Sequence, residues 1–165
     1  MFTGALAASF YGTPRTTMDV DVVVRVAGEK AQGRLVSALE QAKLQVHEGK
    51  ISSAFKSGYN IVTFKDSNTP FSVDIMLSTA KLKKRAGTIL TLQTFFQTPE
   101  DLISAKLRMI KVTIPRKKAL KDEDDVKAIL KFTKVNMNAI KRQAQKDNTL
   151  SILQALITGS TYKGK

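Results

Sequence analysis

Two aspartates spaced two residues apart are the side chains of this sequence best suited to chemistry. Asp19 and Asp21 are followed by Val22-Val23-Val24, which is apolar on both faces, as in a strand buried inside a sheet. Residues two apart on a strand point to the same face, so both carboxylates can bind one divalent cation or flank a pair of them. Such a cation would compensate the lost hydration of two like charges. The alternative is a solvated strand end.

A third aspartate lies in another apolar segment. Asp74 interrupts residues 71–77, which we also predict to be a strand, and neighbouring strands lie about 4.8 Å apart. One such acid is explained by a hydrogen bond to backbone, but three on apolar strands favour a metal site formed by Asp19, Asp21 and Asp74. Ligation by oxygen alone favours Mg²⁺ or Mn²⁺ over zinc, and magnesium takes further ligands from phosphates and water. Phosphoryl or nucleotidyl transfer is therefore the predicted class of reaction.

The spacing of apolar and turn residues predicts the elements that position these aspartates. Gly12 and Pro14 end a short first helix, and apolar residues at helical spacing mark a second helix after the first strand. Turns are predicted at Lys56-Ser57-Gly58 and over 66–70. We predict helices over 4–10 and 29–44, and strands over 19–26, 51–55, 59–64, 71–77 and, at the edge of the sheet, 86–92.

From residue 98 onward the sequence is helical. Thr98-Pro99-Glu100-Asp101 combines a hydroxyl cap, a proline at the first helical position and acids in the first turn, which predicts a helix to about Val112. Further helices are predicted over 119–133 and, as a pair, within 137–157, with a frayed tail from 159. The predicted fold class is α/β (α+β). It has a mixed β-sheet flanked by helices over 1–97 and a helical extension over 98–165 packed on it as one compact unit.

Composition limits the classes of protein to which the chain can belong. With 165 residues, 42% of them apolar, it is long and apolar enough to bury a core, which argues against disorder. No apolar run approaches the length of a membrane span, and no secretory signal is recognisable. The absence of cysteine excludes disulfides and zinc–thiolate sites, so a cytoplasmic location is the default expectation.

The charge of the chain favours anionic partners. Twenty-seven lysines and arginines against fourteen acids give a formal net charge of +13, which attracts polyanions. The excess is concentrated in residues 81–85, 116–121 and 141–146. Four of these cations follow the strand of the third aspartate closely, so we predict that they contact an RNA backbone: Lys81, Lys83, Lys84 and Arg85. The alternative is a solvated helix end.

The motif around the first aspartates resembles that of a known family. Gly4-Ala5-Leu6-Ala7, followed by Gly12-x-x-Arg15-x-Thr17-x-Asp19-x-Asp21, resembles the signature of the nucleotidyltransferase superfamily, especially its small prokaryotic members related to abortive-infection toxins. Residues 98–107 and 121–126 also resemble the helical half of these proteins. The resemblance implies that Asp19, Asp21 and Asp74 bind the metal and that Gly4 and Ala5 lie at the triphosphate. Ala5 stands where the family has Gly or Ser, so a hydroxyl ligand for phosphate is missing.

Three polar residues complete the set of predicted site residues. Lys106 falls inside the apolar arc of its helix, so its ammonium needs an acid or a phosphate nearby. A bridge to Asp122 on the next helix and a contact in the active site would both satisfy this need. Arg15 and Thr17 lie in the loop before the metal strand, where the guanidinium either binds phosphate of the nucleotide or forms a salt bridge.

Together, the residues and the resemblance predict a metal-dependent nucleotidyltransferase that moves a nucleoside monophosphate from an NTP to a hydroxyl acceptor, with Asp74 as general base. The acceptor hydroxyl on tRNA, another RNA, a protein or a small molecule is left open. So is a role in a toxin–antitoxin pair, with an antitoxin partner or a homodimer. The alternative is a catalytically inactive module of the same fold that binds RNA or a protein partner. A purely electrostatic DNA-binding protein would leave the three aspartates unexplained.

Overall fold

Alternating apolar residues build a mixed sheet at the centre of the computed structural model, which describes residues 1–27, 30–57, 61–65 and 69–159. Strand β1 (Asp19–Arg25) pairs in parallel with β3 (Ser72–Ser78), and β3 pairs antiparallel with β2 (Ile61–Lys65), giving the order β1-β3-β2. The strands predicted over 19–26, 59–64 and 71–77 are thus present where the chain is described. Tyr59 and Asn60 lie outside the described residues, as does the predicted turn at 66–68.

Two helices pack on one face of this sheet. Helices α2 (Ala31–Gln41) and α3 (Glu48–Ser57) contribute apolar residues at helical spacing, and the strands contribute every second residue. The opposite face of the sheet carries the polar residues of the same strands, because side chains alternate along a strand. The buried residues of this core include Leu35, Leu39, Ile51, Val62, Phe64, Ile75 and Leu77.

A β-hairpin lies beside this sheet, and Phe2 bridges the two. Strand β4 (Lys84–Ile89) pairs with β5 (Leu92–Gln97), and Phe2 forms isolated bridges to Val22 on one side and to Phe96 on the other. The backbone amide of Phe2 donates to the carbonyl of Phe95 at 2.8 Å. The rings of Phe2 and Phe96 lie 5.9 Å apart between centroids.

The helical part of the chain begins as the sequence predicts. The backbone amide of Asp101 donates to Oγ1 of Thr98 at 3.4 Å, and Pro99 is the first helical residue. This helix, α4 (Pro99–Val112), packs against α5 (Leu120–Phe132), α6 (Met137–Lys146) and α7 (Leu150–Thr158). A short 3₁₀ turn, Arg116–Ala119, precedes α5. Their shared core includes Leu102, Ile103, Leu107, Ile110, Val126, Ile129, Ile140, Ile152 and Leu153.

The first helix, α1 (Gly4–Tyr11), contributes to two compact units of the chain. The first unit contains Met1–Leu6 and the described residues of Thr16–Phe96, and the second contains Ala7–Arg15 and the described residues from Gln97 onward. In the second unit, Gly12 lies so close to α5 that a Cβ on it would be 2.9 Å from the Cβ of Ala128. The packing of 1–97 and 98–165 as one compact unit stays a prediction.

Two sequence predictions about the elements are wrong. Residues 51–55 lie in helix α3 and not in a strand, and the predicted turn at Lys56-Ser57 is the end of that helix. Ile51 and Ala54 are both buried at a spacing of three, a pattern that fits a helix as well as a short strand. Gly58 lies outside the described residues.

The strand predicted over 86–92 is instead the hairpin β4–β5. Its turn places Leu90 at a φ of 53°, in the left-handed region where Gly and Asn are usual, so the sequence carries no ordinary turn signal there. Helix α2 is also shorter than predicted. It ends at Gln41 rather than 44, and the predicted start at Glu29 is outside the described residues, as is the tail from 160. In the described ranges, the helices are all too short or too polar to cross a membrane.

Candidate active site

Three aspartates lie on the polar face of the sheet in the first unit. The register of β1 and β3 places Asp21 opposite Asp74 and Asp19 opposite Ser72. Because Val22 and its partner Ile75 belong to the core face, the aspartates lie on the face away from α2 and α3. The structure therefore brings Asp19, Asp21 and Asp74 onto one face of adjacent strands.

Two hydroxyls that the sequence analysis did not single out donate to these carboxylates. Oγ of Ser72 donates to Oδ1 of Asp19 at 2.6 Å, and Oγ1 of Thr63 on β2 donates to Oδ1 of Asp74 at 2.5 Å. Thr63 is the register partner of Asp74 across the antiparallel strand pair. Predicting these two contacts would require the strand register, which the sequence does not specify residue by residue.

Gly4 is pressed against Asp21. Its φ is +56°, and a Cβ built on it would lie 1.9 Å from Oδ2 of Asp21, so any larger residue must displace the carboxylate. The backbone amide of Thr3 also donates to the carbonyl of Asp21 at 3.0 Å. Ala5 follows in the same helix start and is buried. The N-terminus of α1, whose amides favour an anion, thus faces one of the three aspartates.

Thr17 is engaged with the backbone at the start of β1. Its Oγ1 donates to the carbonyl of Asp19 at 3.1 Å and accepts from the amide of Asp19 at 3.2 Å. This pair of bonds orients the first residue of the strand. The predicted contact of Thr17 with a nucleotide stays a prediction.

The three aspartates fit a divalent cation by ligand type. Carboxylate oxygens are the ligands that Mg²⁺ and Mn²⁺ prefer, and in the described ranges neither Asp19 nor Asp74 is ion-paired to Lys or Arg. In the same ranges, however, no three His, Cys, Asp or Glu residues are gathered closely enough to hold a metal ion. The hydroxyl partners of Asp19 and Asp74 account for one oxygen of each. The second oxygen of each carboxylate can bind a cation without loss of these bonds, so a shared site requires the three side chains to converge.

Arg15 and Lys106 meet at Asp125 in the second unit. Nε and Nη2 of Arg15 donate to the two carboxylate oxygens of Asp125, each at 3.0 Å. Nζ of Lys106 lies 2.7 Å from Oδ2 of Asp125 and 2.8 Å from Oδ1 of Asp122. The predicted Lys106–Asp122 bridge and the predicted salt bridge of Arg15 are therefore present. The catalytic role of Lys106 and the nucleotide contact of Arg15 stay predictions.

Asp125 is the residue on which this network depends. Its side chain and that of Lys106 are 5% and 6% exposed, so both charges are removed from water. Burial, the largest influence, raises the pKa of Asp125, but hydrogen bonds from Arg15 and Lys106 and their positive charges outweigh it and hold the pKa below its usual value. In the sequence, Asp125 is marked only by the family resemblance of residues 121–126. Its two cationic partners come from segments far apart in sequence.

The predicted RNA-contacting cations lie around the start of β4. Lys81 and Lys83 are in the preceding loop, and Lys84 and Arg85 begin the strand, so the alternative of a solvated helix end is wrong. Nζ of Lys84 lies 3.5 Å from the centroid of the Phe95 ring. Their contact with RNA stays a prediction.

Comparison with solved structures agrees with this architecture. The chain is similar to the crystal structure of an antigenic nucleotidyltransferase-like protein from Paracoccidioides brasiliensis, with a TM-score of 0.57 and 14% sequence identity. The alignment covers 96% of this chain and 84% of that one. No protein-family model matches the sequence, and neither does any curated protein. At this identity the likeness shows the fold alone, and the chain therefore has a mixed α+β, nucleotidyltransferase-like fold.

Proposed function

We propose that this protein is a metal-dependent nucleotidyltransferase that moves a nucleoside monophosphate from an NTP to a hydroxyl acceptor. The observation that carries the proposal is the pairing of Asp21 with Asp74 on adjacent strands, with Gly4 pressed against Asp21. Asp19 lies on the same face, two residues from Asp21. The three carboxylates are suitable ligands for a cation. The start of α1, where glycine lets a phosphate come close to the backbone amides, is a suitable contact for the triphosphate.

Each aspartate has a proposed role. Asp19, Asp21 and Asp74 would hold Mg²⁺ or Mn²⁺, which when bound supplies neutralisation of the triphosphate charge and a lower pKa for the attacking hydroxyl. Asp74 would also accept the proton of that hydroxyl, on the carboxylate oxygen that does not accept from Thr63. The acceptor oxygen forms a bond to the α-phosphorus, the bond from this phosphorus to the bridging oxygen breaks, and pyrophosphate leaves.

The start of α1 is the proposed phosphate contact. Gly4 has no side chain to exclude a phosphate from the amides that follow it, and Ala5 keeps the approach open although it offers no hydroxyl. Asp21 occupies the neighbourhood of Gly4, so a triphosphate would approach there only with a cation between the like charges. Nucleotide binding is therefore expected to depend on the metal.

The acceptor and partners are proposed on charge and resemblance. The net charge of +13 favours a tRNA or another RNA as acceptor, and the lysines before β4 are suitable contacts for its backbone. A toxin role is proposed from the resemblance, with either an antitoxin partner or a homodimer. A cytoplasmic location is proposed because the sequence contains no cysteine.

A second candidate function is a catalytically inactive module of the same fold. The observation that favours it is that Asp19 and Asp74 are turned toward hydroxyls and that the described residues gather no three metal-binding side chains. Such a module would bind RNA or a protein partner without turnover.

Calorimetric titration with each NTP, with and without Mg²⁺, separates the two candidates. An active enzyme binds nucleotide only with the metal and loses this binding in Asp19→Asn with Asp21→Asn. Asp124→Asn, at an exposed position of α5, is the matched control and should bind normally. Metal-dependent binding should be accompanied by transfer of label from an α-labelled NTP. Binding of no NTP under any condition would contradict the proposed activity and support the inactive module.

A further inference from the structure

Strand β4 presents an open edge of the sheet. Within the described part of the chain it pairs with β5 on one side, and no described strand lies on its other side. Most residues of β4 are exposed, whereas the neighbouring β5 continues through Phe96 to the bridge with Phe2. An open edge of this kind is a template for the backbone of another extended chain.

The side chains of β4 permit a close approach of that second backbone. Ala86 and Gly87 lie at the centre of the strand, and glycine within a strand often marks a place where another backbone approaches. The far end of the hairpin offers apolar contacts, because Leu90 and Leu92 are 94% and 70% exposed. A proline that would block pairing is absent from the strand.

The near end of β4 is strongly basic. Lys81, Lys83 and Lys84 form no ion pair within the described ranges, whereas Lys106 and Arg15 are both paired to acids. Lys81 and Lys84 line a cleft of about 410 Å³ together with Arg25, Leu82 and Phe95, and none of the residues that line it is acidic. Met1, Val23 and Val24 also line this cleft, so it lies between the hairpin and β1. Lys83 and Lys84 stand at the beginning of β4, next to its open backbone edge.

We propose that an extended acidic peptide segment of a partner protein binds as an added strand along β4. Its backbone would hydrogen-bond to the edge, its carboxylates would lie against Lys81, Lys83 and Lys84, and an apolar residue would cover Leu90 and Leu92. This site lies outside the three-aspartate face and does not depend on nucleotidyl transfer. It shares its lysines with the RNA contact proposed above, so the peptide and RNA would compete for them.

Charge selects this occupant over two others. A second copy of this chain would bring a further +13 to the interface, and lysines at a sheet edge oppose such self-association. An RNA strand would satisfy the lysines but offers no peptide backbone to pair with Ala86 and Gly87. An acidic extended peptide satisfies both the charge and the edge.

The test uses a fluorescent eight-residue peptide of alternating Glu and Val. Its binding is followed by anisotropy, and the amides of β4 are followed by hydrogen exchange. We expect these amides to become protected, and binding to weaken about tenfold or more in Lys83→Glu with Lys84→Glu. Lys141→Glu with Arg142→Glu, which makes the same change of charge on α6, should weaken binding about twofold or less. A peptide N-methylated at alternate residues should bind about tenfold more weakly, because it has lost backbone donors.

Several results would overturn the proposal. Equal losses in the two charge-reversal variants would show only general attraction to a basic protein. Equal binding of the N-methylated peptide would exclude strand addition. Protection of the β4 amides by a single-stranded RNA but not by the peptide, or by self-association at high protein concentration, would assign the edge to another occupant. If circular dichroism shows that the Glu variant does not fold, Lys83→Gln with Lys84→Gln takes its place. This variant should also weaken peptide binding, but by a smaller factor.

Discussion

A Cβ at Gly4 would lie 1.9 Å from Oδ2 of Asp21, so the backbone of the first helix and the carboxylate of the first strand share a space that admits no larger residue. Gly4 also holds a φ of +56°, which L side chains rarely adopt. The combination of Gly4 and Asp21 in the sequence motif therefore has a steric reason: position 4 must be glycine because the Asp21 carboxylate lies against it.

Gly4→Ala should destabilise the protein. Backbone strain at a positive φ costs about 1–3 kcal/mol, and displacement of the Asp21 carboxylate adds to it. Urea unfolding measures the change. In Gly33→Ala, the control within α2, the added Cβ meets nothing within 4 Å, and the substitution should stabilise by about 0.5–1 kcal/mol. Since the clash involves Asp21, Gly4→Ala should cost less in an Asp21→Ala background, and strictly additive effects would contradict the contact.

Asp74→Asn should abolish most nucleotidyl transfer while leaving the fold intact. The amide is isosteric with the carboxylate but cannot accept the proton of the acceptor hydroxyl, a loss of about 10²–10⁴ in rate. Transfer of label from an α-labelled NTP measures the rate, and circular dichroism checks the fold. The exposed Asp124→Asn is the control and should retain full activity. Undiminished transfer by Asp74→Asn would remove it from the proposed mechanism.

Asp125→Ala should be severely destabilising. It leaves the buried ammonium of Lys106 with Asp122 and removes the two carboxylate oxygens of Asp125 to which the Arg15 guanidinium donates. Breaking a buried ion pair from one side costs about 3–5 kcal/mol. Unfolding in urea gives the value, and Asp124→Ala on the same helix should change it by about 0.5 kcal/mol or less. A small effect of Asp125→Ala would mean that Lys106 is satisfied by Asp122 alone.

The same aspartate should make stability depend on acid pH. Because the pKa of Asp125 is lowered in the folded state, the unfolded chain binds its proton more readily. The stabilising contribution is therefore fully present above the ordinary aspartate pKa of about 3.9 and is lost as the pH falls through the lower, folded value. The difference in unfolding free energy between the wild type and Asp125→Asn should shrink as the pH is lowered from about 6 toward 3. A difference that is constant with pH would contradict the lowered pKa.

The sequence predicts the residues of the candidate site better than their contacts. Apolar alternation is sufficient to place Asp19, Asp21 and Asp74 on strands, because this pattern is local. The opposition of Asp21 and Asp74 depends on how β1 and β3 slide along each other, and a slip of one residue would turn an aspartate to the core. Thr63 and Ser72 were missed for the same reason.

The errors in the fold have a local cause. The short segment at 51–55 has too few apolar residues to distinguish a helix from a strand, and packing against the sheet decides in favour of α3. The hairpin was missed because Leu90 adopts a left-handed turn conformation that is unusual for leucine, so its presence does not predict a turn. The capped start of α4 was predicted correctly, because Thr98 and Pro99 act within a single turn.

Phe2 connects the first strand of the sheet to the β4–β5 hairpin. Within the described residues, the backbone bridges between β1 and the hairpin are all formed by Phe2. Such support matters because an isolated two-stranded hairpin is barely stable in water. The ring of Phe2 also packs against the ring of the buried Phe96, with 38° between the ring planes. Loss of the Phe2 side chain would therefore weaken the attachment of the lysine-bearing strand β4 to the strand that carries Asp19 and Asp21.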